Sequence, residues 1–174
     1  MGIKDVALVS LVNATETRQI VVSCELEMRD LIMKYMTDRP ETQMLFPSVV
    51  NDILATRDKS SLEVRINGVK DGVYQTEIYD RLTQKSRSSS FPIRCSDGIF
   101  MSVACKLHIY ASAEVMRLHS IPYVTGATKV GLPLSVLSEK LLKNSLQMAI
   151  ETENYEMASN LRDELNKRHK DKHE

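Results

Sequence analysis

The sequence predicts an α+β fold: helices packed on a twisted mixed sheet, followed by a C-terminal antiparallel helical hairpin. Three observations predict it. Leu62, Val64 and Ile66 alternate with polar residues, as do Tyr74, Thr76 and Ile78, and Asp71-Gly72 between them is a two-residue turn, so the two runs pair as a β-hairpin. Two short strands and two helical stripes precede that hairpin, and a strand–helix–strand–helix series follows it. Finally, Leu142, Leu146, Ala149 and Ile150 form one helical stripe, Glu153-Asn154 breaks it, and Tyr155, Ala158, Leu161 and Leu165 form a second. Two helices with so short a break fold back on each other.

The first strand is the apolar run Val6–Val12, closed by the turn Asn13-Ala14-Thr15, and Ile20-Val21-Val22 makes the second. A helix starts near Glu25, with Glu25 and Glu27 in its first turn and Met28, Leu31, Ile32 and Tyr35 as its buried stripe. Asp38-Arg39-Pro40 stops it, because the residue before proline avoids helical angles. The next helix covers about residues 43–55, with Phe46, Val49, Val50, Ile53 and Leu54 toward the core and Pro47 tolerated only near its start. After the β-hairpin, the polar stretch 83–90, with Lys85 and Arg87, reads as a mobile loop. Phe91, Ile93 and Cys95 add a strand to the hairpin sheet, and Ser96 caps a helix through Ile99, Phe100, Val103 and Ala104. Residues 107–111 read as a buried strand, and Ser112 caps a short helix to Leu118. Residues 120–132, with Pro122, Gly126 and Gly131, read as linker. In the terminal pair Asn154 is the N-cap of the second helix, and Glu156 sits where the helix dipole favours negative charge. The chain divides into a domain at 1–121, a linker at 122–137, the helical hairpin at 138–168 and a charged tail at 169–174.

A length of 174 residues suits one domain plus a small appendage. Acidic and basic residues balance at 23 each, which excludes a strongly basic nucleic-acid coat and leaves room for a local basic patch. The three cysteines, Cys24, Cys95 and Cys105, have no metal-type spacing and lie among apolar residues. They read as free, buried thiols of a reducing cytoplasm, small hydrophobes in place of nucleophiles. No apolar run is long enough to span a membrane, the early Asp5 does not suit a signal peptide, and Val6 stands where a myristoylation signal has serine or threonine. The expected setting is cytoplasmic, without membrane contact.

In the C-terminal pair, Ala149-Ile150-Glu151, Glu153-Asn154-Tyr155-Glu156, Ala158 and Leu161-Arg162-Asp163-Glu164-Leu165 resemble the UVR motif. That motif is the helical hairpin shared by the B and C subunits of the bacterial excision-repair nuclease, where it mediates protein–protein contact. The resemblance spans about residues 138–168 and implies a protein partner, met through Tyr155, Leu161, Arg162 and Leu165. The motif also occurs as an appendage outside excision repair, so it does not name a function alone.

In the body of the chain the telling residues are Val69-Lys70-Asp71-Gly72-Val73-Tyr74, Arg94-Cys95-Ser96-Asp97-Gly98-Ile99, and the run from Ile109-Tyr110-Ala111-Ser112 to His119-Ser120-Ile121. They resemble the bifunctional nuclease family, small domains that cleave both DNA and RNA. The family usually reads Arg-x-Ser-Asp-Ala in the second stretch, so Gly98 is a small-for-small change. Cys24-Glu25 resembles the start of the family's first helix, which carries a glutamate there. Arg39-Pro40-Glu41-Thr42-Gln43 resembles Arg-Pro-x-Thr-His, with Gln43 where the histidine stands. The run Val6–Val12 is more similar to the family's second strand than to its first. The resemblance spans about residues 6–121, and a UVR motif behind such a domain is an arrangement known for this family.

Phosphodiester cleavage needs charge stabilisation at the phosphate, a positioned nucleophile and a proton for the leaving oxygen. Magnesium or manganese held by carboxylates is one route to the first two. The candidate acids are Glu25 and Asp97, as acid/base groups or metal ligands, with Glu27 and Asp71 behind them. Arg39, Arg94 and Lys70 are candidates to hold phosphate, together with the free amides that open the Ser96 helix. Each has a plain reading beside the chemical one. Ser96 and Asp97 suit a helix start, Glu25 a first turn, Asp71 a turn, and Arg39 an exposed surface. Arg94 alternates with Ile93 and Cys95, so it faces outward or pairs with an acid. The only HxxxH spacing, His169 to His173, falls in the charged tail and reads as solvated. Glutamine cannot shuttle a proton, so Gln43 either serves by hydrogen bonding alone or leaves the activity weak. Two functions follow: a nuclease with a docking hairpin, or a scaffold that keeps the fold without the catalysis. In both, the apolar hairpin stripe and Met28, Met33, Met36 and Met44 supply surface for a homo-oligomer.

Overall fold

A computed structural model of the chain describes residues 6–37, 42–43, 45–55, 61–81, 90–126 and 133–171, and these residues form an α+β structure. The strands divide into two sheets where one was expected. In the first, β1 (Val6–Val12) pairs antiparallel with β2 (Arg18–Glu25), and β7 (Ile121–Pro122) joins the other edge of β2. Asn13 shapes the β1–β2 turn by accepting from the Thr17 and Arg18 amides at 2.9 and 3.0 Å. Arg18 locks β7 in place, donating to the Ser120 hydroxyl at 2.5 Å and the Ser120 carbonyl at 2.7 Å. The second sheet runs β5 (Ser90–Ile93), β4 (Val73–Asp80), β3 (Leu62–Lys70), β6 (His108–Ala111). Its pairs are antiparallel except β3 with β6, which is parallel.

Helix α3 (Cys95–Cys105) explains the division. It is apolar on most of its surface and packs against strands of both sheets as well as α1 (Leu26–Met36) and α2 (Phe46–Ala55). The main core therefore gathers Ile20 and Val22 from one sheet, Ile66 and Tyr74 from the other, and Cys95 and Ile99 from α3. Gly98 allows the close approach: a Cβ there would stand 3.1 Å from Val64 Cγ1 and 3.3 Å from Thr76 Cγ2. Tyr35 of α1 meets Phe100 of α3 edge-on, with ring centroids 5.2 Å apart.

Several local expectations are corrected. Glu25 ends β2 and is the N-cap residue of α1, so it precedes the first turn. Cys95 is the first residue of α3 and not a strand residue. Ser96 lies inside the helix; the N-cap residue is Arg94, and no side chain caps the helix start. Burial of Cys95 and Gly98 sets that start and overrides the local preference of serine. Helix α2 begins after residue 45, and its apolar face is turned outward, with Phe46 77% exposed and Val49 and Ile53 also open. It packs mainly on α3, and its Ser48 hydroxyl reaches the Tyr35 hydroxyl of α1 at 3.1 Å. Strand β6 is an edge strand with His108 and Tyr110 exposed, and so is not fully buried. Residues 83–89, with Lys85 and Arg87, lie outside the described residues, as do Arg39 and Met44.

After α4 (Ala113–Leu118), capped by the Ser112 hydroxyl, a 3-10 turn at Leu134–Val136 leads into α5 (Glu139–Glu151) and α6 (Tyr155–Asp171). Between them Glu153 adopts φ 56°, while Glu153 N–H bonds Ile150 O and Asn154 N–H bonds Ala149 O at 2.8 Å, a Schellman ending. Asn154 then caps α6 by accepting from the Met157 amide at 3.2 Å. The seam of the hairpin is Leu142, Ala149, Ala158, Leu161 and Leu165. Tyr155, expected in that stripe, is 69% exposed, because it opens α6 beside the end of α5 and projects past the seam. Arg168, in the basic run Lys167-Arg168-His169-Lys170, is only 7% exposed. It donates to Glu164 at 2.9 Å and to the carbonyls of Leu137, Leu134 and Ser135 at 2.7, 2.9 and 3.0 Å. It thereby ties the end of α6 to the 3-10 turn. The turn presses in its turn on Gly72 (φ 77°), where a Cβ would overlap the Leu137 carbonyl. His119 completes the attachment through Nδ1 to the Ser135 hydroxyl, 2.9 Å.

Candidate active site

Two chain reversals bring the candidate acids together. Strand β2 ends at Glu25 as α1 begins, and β5 ends at Ile93 just before α3 begins, so the residues at both junctions face the same end of the structure. Arg94 is the bridge. Its Nε and Nη2 donate to the two oxygens of Asp97 at 2.6 and 3.1 Å, and its Nη1 lies 3.9 Å from Glu25 Oε1. Asp97, one turn into α3, is the better shielded acid, whereas Glu25 and Arg94 are open to water. The hydrogen bond to Asp97, and more weakly the charge of Glu25, hold the Arg94 pKa above its ordinary value. The outward direction and acidic partner expected of Arg94 are therefore both present.

Glu25, Arg94 and Ser96 line a cavity of about 1100 Å³. One side is formed by β2 and β4, with Cys24, Tyr74 and Thr76, and by the start of α3; the other by Val136, Ser138, Lys140, Leu141 and Asn144. Tyr74 and Thr76 are 6% and 7% exposed; the Tyr74 hydroxyl has no hydrogen-bond partner among the described residues, whereas the Thr76 hydroxyl lies against the Cys95 thiol. Burial raises the Tyr74 pKa, with nearby Cys95 adding to it. Burial also pushes Cys95 up to about 11, against the pull of the Thr76 hydroxyl, and raises Cys24. Both thiols stay protonated near neutral pH, which suits packing and not nucleophilic attack.

The remaining candidates lie elsewhere. Lys70, at the exposed end of β3, and Gln43, exposed ahead of α2, are not among the described residues lining the cavity. Arg39 lies outside the described residues. Of the partner-docking residues, Tyr155 and Arg162 face solvent, but Leu161 and Leu165 are spent on the α5–α6 seam and are corrected to structural residues. Sequence reasoning missed Tyr74 and Thr76, which read as members of an apolar strand face; their hydroxyls on a buried stripe were the available signal. It also missed Lys140 and Asn144, whose placement depends on how the hairpin docks. Among the described residues no group of three or more His, Cys, Asp or Glu is gathered as a metal cage. No described helix is long and apolar enough to cross a membrane.

Comparison with known families gives a match between residues 7–123 and the bifunctional nuclease domain. None of the curated proteins compared matches the chain.

Proposed function

The chain belongs to the bifunctional nuclease domain family, and from that premise we propose that it cleaves phosphodiester bonds of DNA or RNA at the Glu25–Arg94–Asp97 cluster. The observation that carries this reading is Arg94, held between two carboxylates at the mouth of a cavity. A guanidinium that grips a carboxylate through two nitrogens grips a phosphate in the same way. On this reading an incoming phosphate takes Arg94 from Asp97, and the amides that open α3, Ser96 included, add to the grip. Asp97 and Glu25, once released, serve as acid and base. Magnesium is commonly held by one or two carboxylates plus substrate phosphate, so the same pair fits magnesium or manganese, which would supply charge stabilisation. Arg39 keeps its proposed clamp role on family resemblance.

The second reading is a scaffold without cleavage, favoured by Gln43 at the family's histidine position and by the saturated pairing of Asp97 with Arg94. In either case the hairpin is proposed to resemble the UVR motif in function, meeting a protein through exposed Tyr155 and Arg162. The exposed face of α2, Leu45, Phe46, Val49 and Ile53, is proposed to meet a second copy of the chain. Three free, buried cysteines support a reducing, cytoplasmic setting.

The test is incubation of the purified chain with single-stranded DNA and RNA, with magnesium, with manganese and with chelator. Asp97→Ala and Glu25→Ala are expected to lower cleavage by roughly 100-fold or more with the fold retained, the scale of a lost acid–base group. Intact substrate under every metal condition would leave the scaffold reading.

A further inference from the structure

The cavity has one wall that the matched domain, ending at residue 123, does not supply. That wall comes from the 3-10 turn and the first half of α5. The apolar stripe of α5 is turned to α6, so α5 presents Lys140, Leu141 and Asn144 to the cavity. Lys140 is exposed and paired with no acid among the described residues, whereas Lys143 on the same helix is held by Glu139 at 2.7 Å. The start of α3 lines the same cavity; the first amide to bond within α3 is Gly98 N–H, to Arg94 O at 2.9 Å, and no side chain caps the amides before it. Tyr74, more than nine-tenths buried and with no partner for its hydroxyl among the described residues, lines the same cavity, as does Thr76. Buried polar groups are rarely left without a partner, and the Tyr74 hydroxyl on this surface points to a ligand that satisfies it. Between the polar groups the lining is apolar, with Val22, Val73 and Ile93. A volume of about 1100 Å³ lies just above the range of small-molecule sites, roughly 300–1,000 Å³.

We propose that the cavity binds a nucleotide unit, free or at the end of a strand, with its phosphate between Arg94 and Lys140 and its base and sugar on the apolar lining beside Tyr74 and Thr76. The C-terminal hairpin is then one wall of a binding site, and Lys140 a binding residue. Glu25 at the mouth repels an anion, which places the phosphate toward the α3 amides and Lys140. The inference rests on the reading of the Glu25–Arg94–Asp97 cluster as a phosphate site.

The full chain is titrated with a short fluorescent single-stranded DNA carrying a 5′ phosphate, and adenosine monophosphate is added as competitor. Competition by the mononucleotide identifies a free nucleotide as ligand; binding of the strand alone identifies a strand end; both support the site. Lys140→Ala is expected to weaken binding about tenfold, the scale of a hydrogen bond to a charged group, and Lys143→Ala to leave it unchanged. Tyr74→Phe is expected to weaken binding without lowering the thermal midpoint, because it removes an unpartnered hydroxyl. Wild-type affinity in Lys140→Ala, or no binding of either probe, overturns the proposal. Cleavage measured on the same variants separates the two readings. A chain that cuts nothing yet loses nucleotide on Lys140→Ala keeps the site and drops the nuclease. One that cuts with unchanged KM and unchanged binding in Lys140→Ala keeps the nuclease and drops the site.

Discussion

Arg94 has two demands on one guanidinium. In the structure it neutralises Asp97 and leans toward Glu25; on the proposed reading it releases them to hold a phosphate. Its exposure makes that exchange easy, because ion pairs in water hold weakly. His119 shows the opposite condition, a titratable group set by burial. Burial lowers its pKa, Glu114 and Glu164 work against that shift, and Lys167 adds to it. Glu164 and Lys167 lie on α6, so His119 senses the hairpin as well as bonding to Ser135. The folded pKa lies below the unfolded value of 6.5, so the unfolded chain takes up the proton first. The contribution of neutral His119 is complete above that value and is lost as pH falls through the lower folded value. The thermal midpoint is expected to drop between about pH 7 and pH 5, and less steeply in His119→Gln. Equal slopes in the two proteins would dismiss the histidine.

At the scale of elements, the α5–α6 turn uses a left-handed residue with a side chain, Glu153 at φ 56°. That conformation costs a non-glycine residue about 1–2 kcal/mol, of which the greater chain entropy of glycine returns about 0.5–1 kcal/mol. Glu153→Gly is therefore expected to stabilise the hairpin by about 0.5–1 kcal/mol, read as slower hydrogen exchange across α5 and α6. Faster exchange would mean that Glu153 makes a contact worth more than its strain. Helix α3 works differently. Its first residue is buried, its start is uncapped, and its length separates two sheets, so one element fixes both the core and the candidate site.

At the scale of the molecule, the apolar face of α2 makes a second copy the expected occupant. Light scattering of the full chain should give at least a dimer at micromolar concentration, and Phe46→Glu with Ile53→Lys should return it to monomer. A monomeric parent protein would remove that surface from consideration. Much of this organisation was legible in the sequence. The β-hairpin at Asp71-Gly72 and the C-terminal pair were readable because their signals are local periods and local turns. Arg94 could be expected to face outward or to pair with an acid, but its partner Asp97 was not legible, because the start of α3 was placed at Ser96 and not at the Arg94 N-cap. The division into two sheets, the outward face of α2 and the docking of the hairpin were not legible. Each depends on which of several apolar surfaces finds cover, and that is decided between elements distant in sequence.

The burial of Arg168 has a further effect. Three of its nitrogens are committed to Glu164 and to the chain's own carbonyls. The tail segment Lys167-Arg168-His169-Lys170 thus offers solvent two lysines and a histidine, one cation fewer than its letters promise. A polyanion meeting this end of the molecule would shed correspondingly fewer counterions, and its attachment would respond less to added salt than a count of basic letters implies.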